Sequence, residues 1–429
     1  MGKLCDSIFS GITPKSGGDA YTQEESGVLF IKSGCLSYDG EIIFDETSKL
    51  KLEVHNSIMK SSKLKKDDVL VAIVGATIGK IGIFESEREA NINQAIAAVR
   101  LKENSGILPD FLVAYLLSNI GQTYLEYLKR PVARANINLQ EIASIDIPLL
   151  TTDEQFNFIE IFNKSKEKYK LDFCKADEFI KKAKKRVLLS LQVDLPDYAP
   201  SLFSYTTLKN VKELGVYCNP HSDYLNDIFA QLRGSDYYAG HLEDFVEINP
   251  KTSRKELQAQ TKVSFVPMPA VTEKTNEVVY ELRDYEEVKT GFTIFQKDDL
   301  LWAKITPCMQ NGKSFIASDM PTEIGFGSTE FHVLRAKNEK IYMPYLWTIL
   351  SDEKILEAAQ GMFGGSAGQQ RVPDTFLKKF PIVLPPYEVQ VKLADQVFEA
   401  LNKAKQLRKE AEQNWQQARK QFEKELLGE

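Results

Sequence analysis

Asp153 to Leu191 reads DEQFNFIEIFNKSKEKYKLDFCKADEFIKKAKKRVLLSL, without a glycine or a proline. Stepping alternately three and four residues along it picks out Ile159, Phe162, Lys166, Tyr169, Phe173, Ala176, Ile180, Ala183 and Val187. That is a heptad seam, polar only at Lys166, and it predicts one long helix whose apolar edge needs a partner. The partner lies in the same chain. About 235 residues further on, Ala394, Val397, Leu401, Ala404, Arg408, Ala411, Trp415, Ala418 and Phe422 repeat the spacing, with Arg408 as the polar break. Small and large residues alternate in both rows. If the helices run antiparallel as a coiled coil, an alanine of one receives a large side chain of the other. The competing expectation is that each helix packs only on its own domain; the length of the seam favours pairing.

The offset of 235 holds as far upstream as Ile145 to Gln155 (IDIPLLTTDEQ), which lines up with Phe380 to Gln390 (FPIVLPPYEVQ), and Lys66 to Ala72 (KDDVLVA) returns 231 residues on as Lys297 to Ala303 (KDDLLWA). The chain is therefore expected to be two copies of one large unit with pseudo-twofold character. We divide it into an α+β domain at 1–150, a long helix at 151–192, a linker at 193–235, a second α+β domain at 236–385 and a second long helix at 386–429. The linker carries Pro196, Pro200, Gly215, Pro220 and Gly234 as breakers, with a short helix expected near Tyr224 to Leu232. Within the first domain, Val28 to Ile31, Val69 to Val74, Ile81 to Phe84 and Ala95 to Leu101 read as strands of a mixed or antiparallel sheet. Phe111 to Leu128 reads as one helix, with Tyr345 to Gln360 as its counterpart.

Composition bounds the function. The chain has 429 residues, 43% hydrophobic and 27% charged, which excludes wholesale disorder. No apolar run is long enough to span a membrane, and the first residues do not form a signal peptide. Five cysteines (Cys5, Cys35, Cys174, Cys218 and Cys308) are scattered without a CxxC pair, as expected of reduced thiols in the cytoplasm. No metal site or cofactor is expected, since the four histidines are far apart. The net charge is -6, so a nucleic-acid reading rests on local features.

Two motifs invite chemistry and fail. Gly75-Ala76-Thr77-Ile78-Gly79-Lys80-Ile81 has three residues between its glycines where a phosphate loop needs four, and Ile81 stands where a Ser or Thr would hold magnesium. It reads as a strand-turn-strand. Leu384-Pro385-Pro386-Tyr387 resembles the Asn/Asp-Pro-Pro-Tyr motif of DNA amino-methyltransferases, but leucine cannot accept a hydrogen bond from a target amino group. No catalytic residue is expected.

Polar loop residues remain. Arg130, Arg134, Asn136 and Asn138 follow the helix of the first copy, and Gln369, Gln370 and Arg371 occupy the corresponding place in the second. These side-chain types read guanine and adenine edges in bidentate fashion. Lys60, Lys63, Lys65 and Lys66, with Arg254, Lys255 and Lys262 in the second copy, are candidates for neutralising phosphates.

The layout resembles the specificity subunit of type I restriction-modification systems. The resemblance rests on Ser10-Gly11-Ile12-Thr13-Pro14-Lys15 with Val28 to Gly34, on the Gly75 to Phe84 turn followed by Asn93-Gln94-Ala95, and on Ile382 to Pro386 leading to Gln390. Val246 to Lys251 and Phe265 to Met268 look like the second-domain version. It implies two target recognition domains, each reading half of a split, asymmetric site on double-stranded DNA, with the paired helices as a spacer. It implies as partners modification (methyltransferase) subunits, two in number, and restriction (motor endonuclease) subunits that do the chemistry. The first copy lacks the lead that the second has around Ile228 to His241; either the natural start lies upstream or that segment is dispensable. The rival expectations are a coiled-coil scaffold that binds no DNA and a nucleotide hydrolase using the Gly75 to Lys80 turn.

Overall fold

The structure is a computed structural model that describes residues 1–15, 19–130, 135–199, 221–255, 257–365 and 369–428. The chain forms two compact units, Met1–Phe173 with Arg408–Glu429, and Cys174–Leu407.

The strands of the first unit are β1 (Cys5–Ser10), β2 (Tyr21–Thr22), β3 (Val28–Ile31), β4 (Ser48–Leu50), β5 (Asp68–Ala72), β6 (Ile81–Phe84), β7 (Ala90–Ile92) and β8 (Ile96–Leu101). They make an antiparallel sheet, β1-β8-β5-β6, and a mixed sheet, β2-β4-β3-β7, in which β3 and β7 run parallel. After Asp68, β5 is apolar because both its faces are covered. Val69 and Val71 enter a core shared with the helices, whereas Leu70 and Ala72 face a second core with Leu29 and Ile31. The helices are α1 (Leu52–Asn56), α2 (Pro109–Leu117), α3 (Asn119–Leu128), α4 (Leu139–Ala143) and α5 (Thr152–Ser190).

One sequence expectation is corrected here. Phe111 to Leu128 is two helices, not one, because the Ser118 hydroxyl accepts from the Gly121 amide and starts α3 afresh. Gly121 permits the sharp turn, since a Cβ there would lie 2.3 Å from the Tyr115 carbonyl oxygen.

The second unit contains α6 (Ser222–Arg233), α7 (Tyr285–Val288), α8 (Met343–Leu350), α9 (Glu353–Ala359), α10 (Asp374–Lys379) and, up to Leu407, the first half of α11 (Tyr387–Leu427). Its strands are β9 (Tyr238–His241), β10 (Val246–Ile248), β11 (Lys262–Val266), β12 (Glu281–Asp284), β13 (Thr293–Gln296), β14 (Leu300–Ala303), β15 (Ser314–Ile316), β16 (Ile324–Gly327), β17 (Phe331–Ala336) and β18 (Pro381–Val383). The architecture repeats: β10-β17-β14-β15 is antiparallel, and β12-β11-β16-β13 contains one parallel pair, β11 with β16. The helix expected at Tyr345 to Gln360 is likewise divided, here by Asp352, whose carboxylate accepts from the Lys354 amide.

Two polar nodes recur atom for atom. Arg100 forks onto buried Asp68 at 2.8 and 2.7 Å, and Arg335 forks onto buried Asp299 at the same distances. The aspartate before each, Asp67 and Asp298, adopts a left-handed backbone with φ of 68° and 66°. The second node is a buried glutamine in the first turns of each long helix. Gln155 accepts from the Leu108 amide and donates to the carbonyls of Gly106 and Leu150. Gln390 accepts from the Tyr342 amide and donates to those of Lys340 and Pro385.

Each unit holds part of both long helices. In the first, Phe158 lies 5.1 Å from Phe422 and Phe162 lies 4.9 Å from Trp415, ring centre to ring centre, with Tyr169 6.0 Å from Trp415. Rising numbers on α5 thus meet falling numbers on α11, so the two segments pack antiparallel. Lys166, the polar break in the seam, is 3.7 Å from Glu41 of the same unit. In the second unit Ala176, Ile180 and Val187 are buried in one core with Ala394, Val397, Leu401 and Ala404. Ala411, Trp415 and Phe422 are buried; Phe173, Ala183 and Ala418 are half-buried.

Lys184, one position off the seam, is buried in the second unit. Its ammonium donates to the Ser351 carbonyl and hydroxyl, both at 2.8 Å, and lies 5.0 Å from the Trp347 ring centre. Burial pushes its pKa down from 10.5 to about 8. The native state therefore holds this proton less tightly than the unfolded chain, and stability rises with pH from about 8 towards 10.5. We expect urea midpoints for Lys184→Met to lose that part of the rise relative to the parent; identical pH profiles would contradict it.

Candidate nucleic-acid interface

In each unit the KDD strand runs into a turn, and the chain returning from the helices is stitched beside it. In the first unit the Ile137 amide donates to the Ile73 carbonyl at 2.9 Å, the Gly75 amide donates to Ala135 at 2.8 Å, and Asn136 bridges Val74. In the second, the Val372 amide donates to Lys304 at 2.9 Å, the Thr306 amide donates to Gln370 at 2.9 Å, and Arg371 bridges Ile305. Asn136 and Arg371 therefore occupy the same place on the same frame. The turn of the first unit contains Gly75 and Gly79, with φ of 69° and 94°, followed by β6 rather than a helix.

The side chains at this place differ. Arg371 forks onto Glu330, Nε to Oε2 at 2.9 Å and Nη2 to Oε1 at 2.8 Å, and the guanidinium holds the Glu330 carboxyl below its usual pKa. A planar fork that satisfies a carboxylate also matches the O6 and N7 of guanine, so base contact requires Arg371 to leave Glu330. Gln369 is exposed and its carbonyl accepts from Arg371 Nη1. Arg130 binds Glu141, whose carboxyl is held low by the Asn138 amide and by Arg130. Asn138 itself caps α4, reciprocally with Glu141; the Asn-x-x-Glu spacing carries that signal. Arg134 lies outside the described residues, as do 366–368 of the glycine-rich stretch before Gln369.

The basic candidates lie elsewhere on each unit. Lys60 and Lys65 are exposed, Lys63 donates to the Asn56 side chain, and Lys66 pairs with Glu87 at 2.9 Å. In the second unit Lys262 pairs with Asp284 at 3.0 Å, and Arg254 donates to the Lys289 carbonyl. Exposed pairs of this kind contribute about 0–1 kcal/mol, so a phosphate can displace the carboxylate at small cost. Lys255 shares a polar recess with Thr252, Ser253, Lys297 and Glu323. Lys297 was absent from the sequence-derived candidates, although it is the counterpart of Lys66 in the KDD repeat. Tyr38 was also absent. It is 55% exposed, donates to the Ala76 carbonyl and lies 5.7 Å from the Lys80 ammonium, and nothing in its local sequence marks it. Among the described residues, no three His, Cys, Asp or Glu side chains gather as a metal site would require.

Residues 25–172 and 235–413 each match the model of the type I restriction modification DNA specificity domain. The chain belongs to that family. It is 33% identical over 171 residues to the type I restriction enzyme EcoAI specificity subunit of Escherichia coli, covering 40% of this chain and 29% of that one. It is 34% identical over 153 residues to the EcoEI specificity subunit of the same species, covering 35% and 25%. Both alignments thus span under a third of the relative's length. The type I restriction-modification S subunit of M. genitalium is similar at 14% identity and a TM-score of 0.38, over 98% of this chain and 93% of that one. The two specificity-domain matches each contain one stitched turn, so Asn136 and Arg371 fall in separate copies of the family's domain. Among the described residues, no helix is long and apolar enough to cross a membrane.

Proposed function

We propose that the chain is the DNA sequence-recognition subunit of a type I restriction-modification complex. It binds a bipartite, asymmetric site on double-stranded DNA, with recognition domains at 1–150 and 236–385 each reading one half and the helices at 151–192 and 386–429 as spacer. It catalyses neither methylation nor cleavage. It directs two modification subunits and the restriction subunits, which do so, and it works in the cytoplasm. One observation supports the reading above the rest. The two units share their buried frame at Asp68 and Asp299 and at Gln155 and Gln390, while the loop position they have in common carries Asn136 in one and Arg371 in the other. Unlike readers on one frame are what two different half-sites require. The candidate contacts are Asn136, Gln369, Gln370 and Arg371 towards bases, and Lys60, Lys65, Lys255 and Lys297 towards phosphates.

The test exchanges residues 240–380 for the matching segment of a relative and maps methylated motifs in cells supplying the partner subunits. One half of the motif is expected to change while the other stays. A change in both halves, or in neither, would sink separate readout. A scaffold that binds no DNA would show no salt-dependent DNA binding by the reconstituted assembly.

A further inference from the structure

We infer that Gln155 and Gln390 are positioning residues that fix the angle at which each long helix leaves its α+β domain, and so hold the half-sites to a single spacing. The inference rests on the recognition function proposed above. Each glutamine is almost completely buried, at 0% and 1% exposure, and its amide makes three hydrogen bonds to main chain. The partners come from corresponding places. Leu108 and Tyr342 are the N-caps of α2 and α8; Gly106 and Lys340 lie two residues before them; Leu150 and Pro385 are where the chain leaves the domain. Two segments that meet at the root of the helix, the stretch before α2 or α8 and the lead into the long helix, are thus tied to one planar amide. Apolar packing leaves a helix crossing angle a scatter of about 15–20°, and a planar group with donors and acceptor on fixed vectors narrows it. Apolar packing at the root is supplied separately: Phe158 lies 6.2 Å from Phe111, and Tyr342 lies 5.7 Å from Tyr387. The glutamines are therefore not needed to bury the helix, only to aim it.

Gln155→Met and Gln390→Met keep the length and volume of the side chain and remove all three bonds. In cells with the partner subunits, each variant is expected to keep both half-site sequences. Methylation of sites whose spacer is one base pair shorter or longer should rise at least about tenfold above the parental background, a change of about 1.4 kcal/mol. Hydrogen exchange on the full chain gives a reading that needs no DNA. The Leu108 amide in Gln155→Met and the Tyr342 amide in Gln390→Met should exchange at least about tenfold faster, with β5 and β14 still protected. The inference is overturned if the variants keep one spacing, if a half-site changes its bases, if methylation vanishes from a chain whose strands remain protected, or if protection is lost throughout. A parent chain that directs no methylation would sink the proposed function instead, and the exchange result would still report on the joint.

Discussion

Asp299→Ala is expected to destabilise the second unit by about 3 kcal/mol or more. The Asp299 carboxylate is 1% exposed and receives two bonds from Arg335 and one from the Gln296 amide. Its removal leaves a largely buried guanidinium and a backbone donor without their acceptor, and an unpartnered interior charge is what makes such a change severe. Replacing both members, Asp299→Leu with Arg335→Met, should cost far less, because no charge is then stranded. Urea unfolding of the single and double variants checks this; a double variant as unstable as the single one would show that the ion pair itself, not the stranded charge, decides. Asp68→Ala is expected to do the same in the first unit, where Arg100 makes the same fork.

Trp415→Ala is expected to cost about 3–5 kcal/mol, felt in the first unit. The indole is 5% exposed and packs between Phe162 and Tyr169, so alanine leaves a hole that the two rings cannot both fill. Residues 174–407 contain none of these contacts. Fluorescence or hydrogen exchange resolved by unit should show the first unit's transition moving to lower denaturant and the second's staying put. Equal loss in both units would mean that the helix pair responds as one body.

The seam was legible because heptad spacing over nine positions is hard to produce otherwise, and Phe162, Ala176, Ile180, Val187, Ala411, Trp415 and Phe422 are all buried. Four strands of the first unit, β3, β5, β6 and β8, were legible from apolar runs, with ends displaced by at most two residues; β1, β2, β4 and β7 were not. The break at Ser118 was missed because an apolar period continues across it, and only the cap bond from the Gly121 amide gives it away. The candidate interface was the least legible part. Its residue types were visible; the Asn-x-x-Glu spacing that makes Asn138 a cap was there to be read and was passed over, whereas Glu330, which holds Arg371, lies 41 residues away, where no local pattern reaches. The placement of Asn136 and Arg371 at one shared position follows from strand pairing, which a single sequence does not display.

The composition of the first unit also bears on how the chain emerges from the ribosome. Its core is closed by Trp415 and Phe422, which are made last, whereas Cys174–Leu407 is continuous and complete beforehand. At roughly 5–20 residues per second, the first unit waits on the order of 10–50 s for those side chains after Phe173 has been added. During that interval the apolar face of nascent α5, with Phe158 and Phe162, is without its final cover. Translation therefore finishes the two units in reverse order. A chain stalled or truncated before Trp415 would carry a finished second unit and an open first one, and would be exposed to chaperones and proteases.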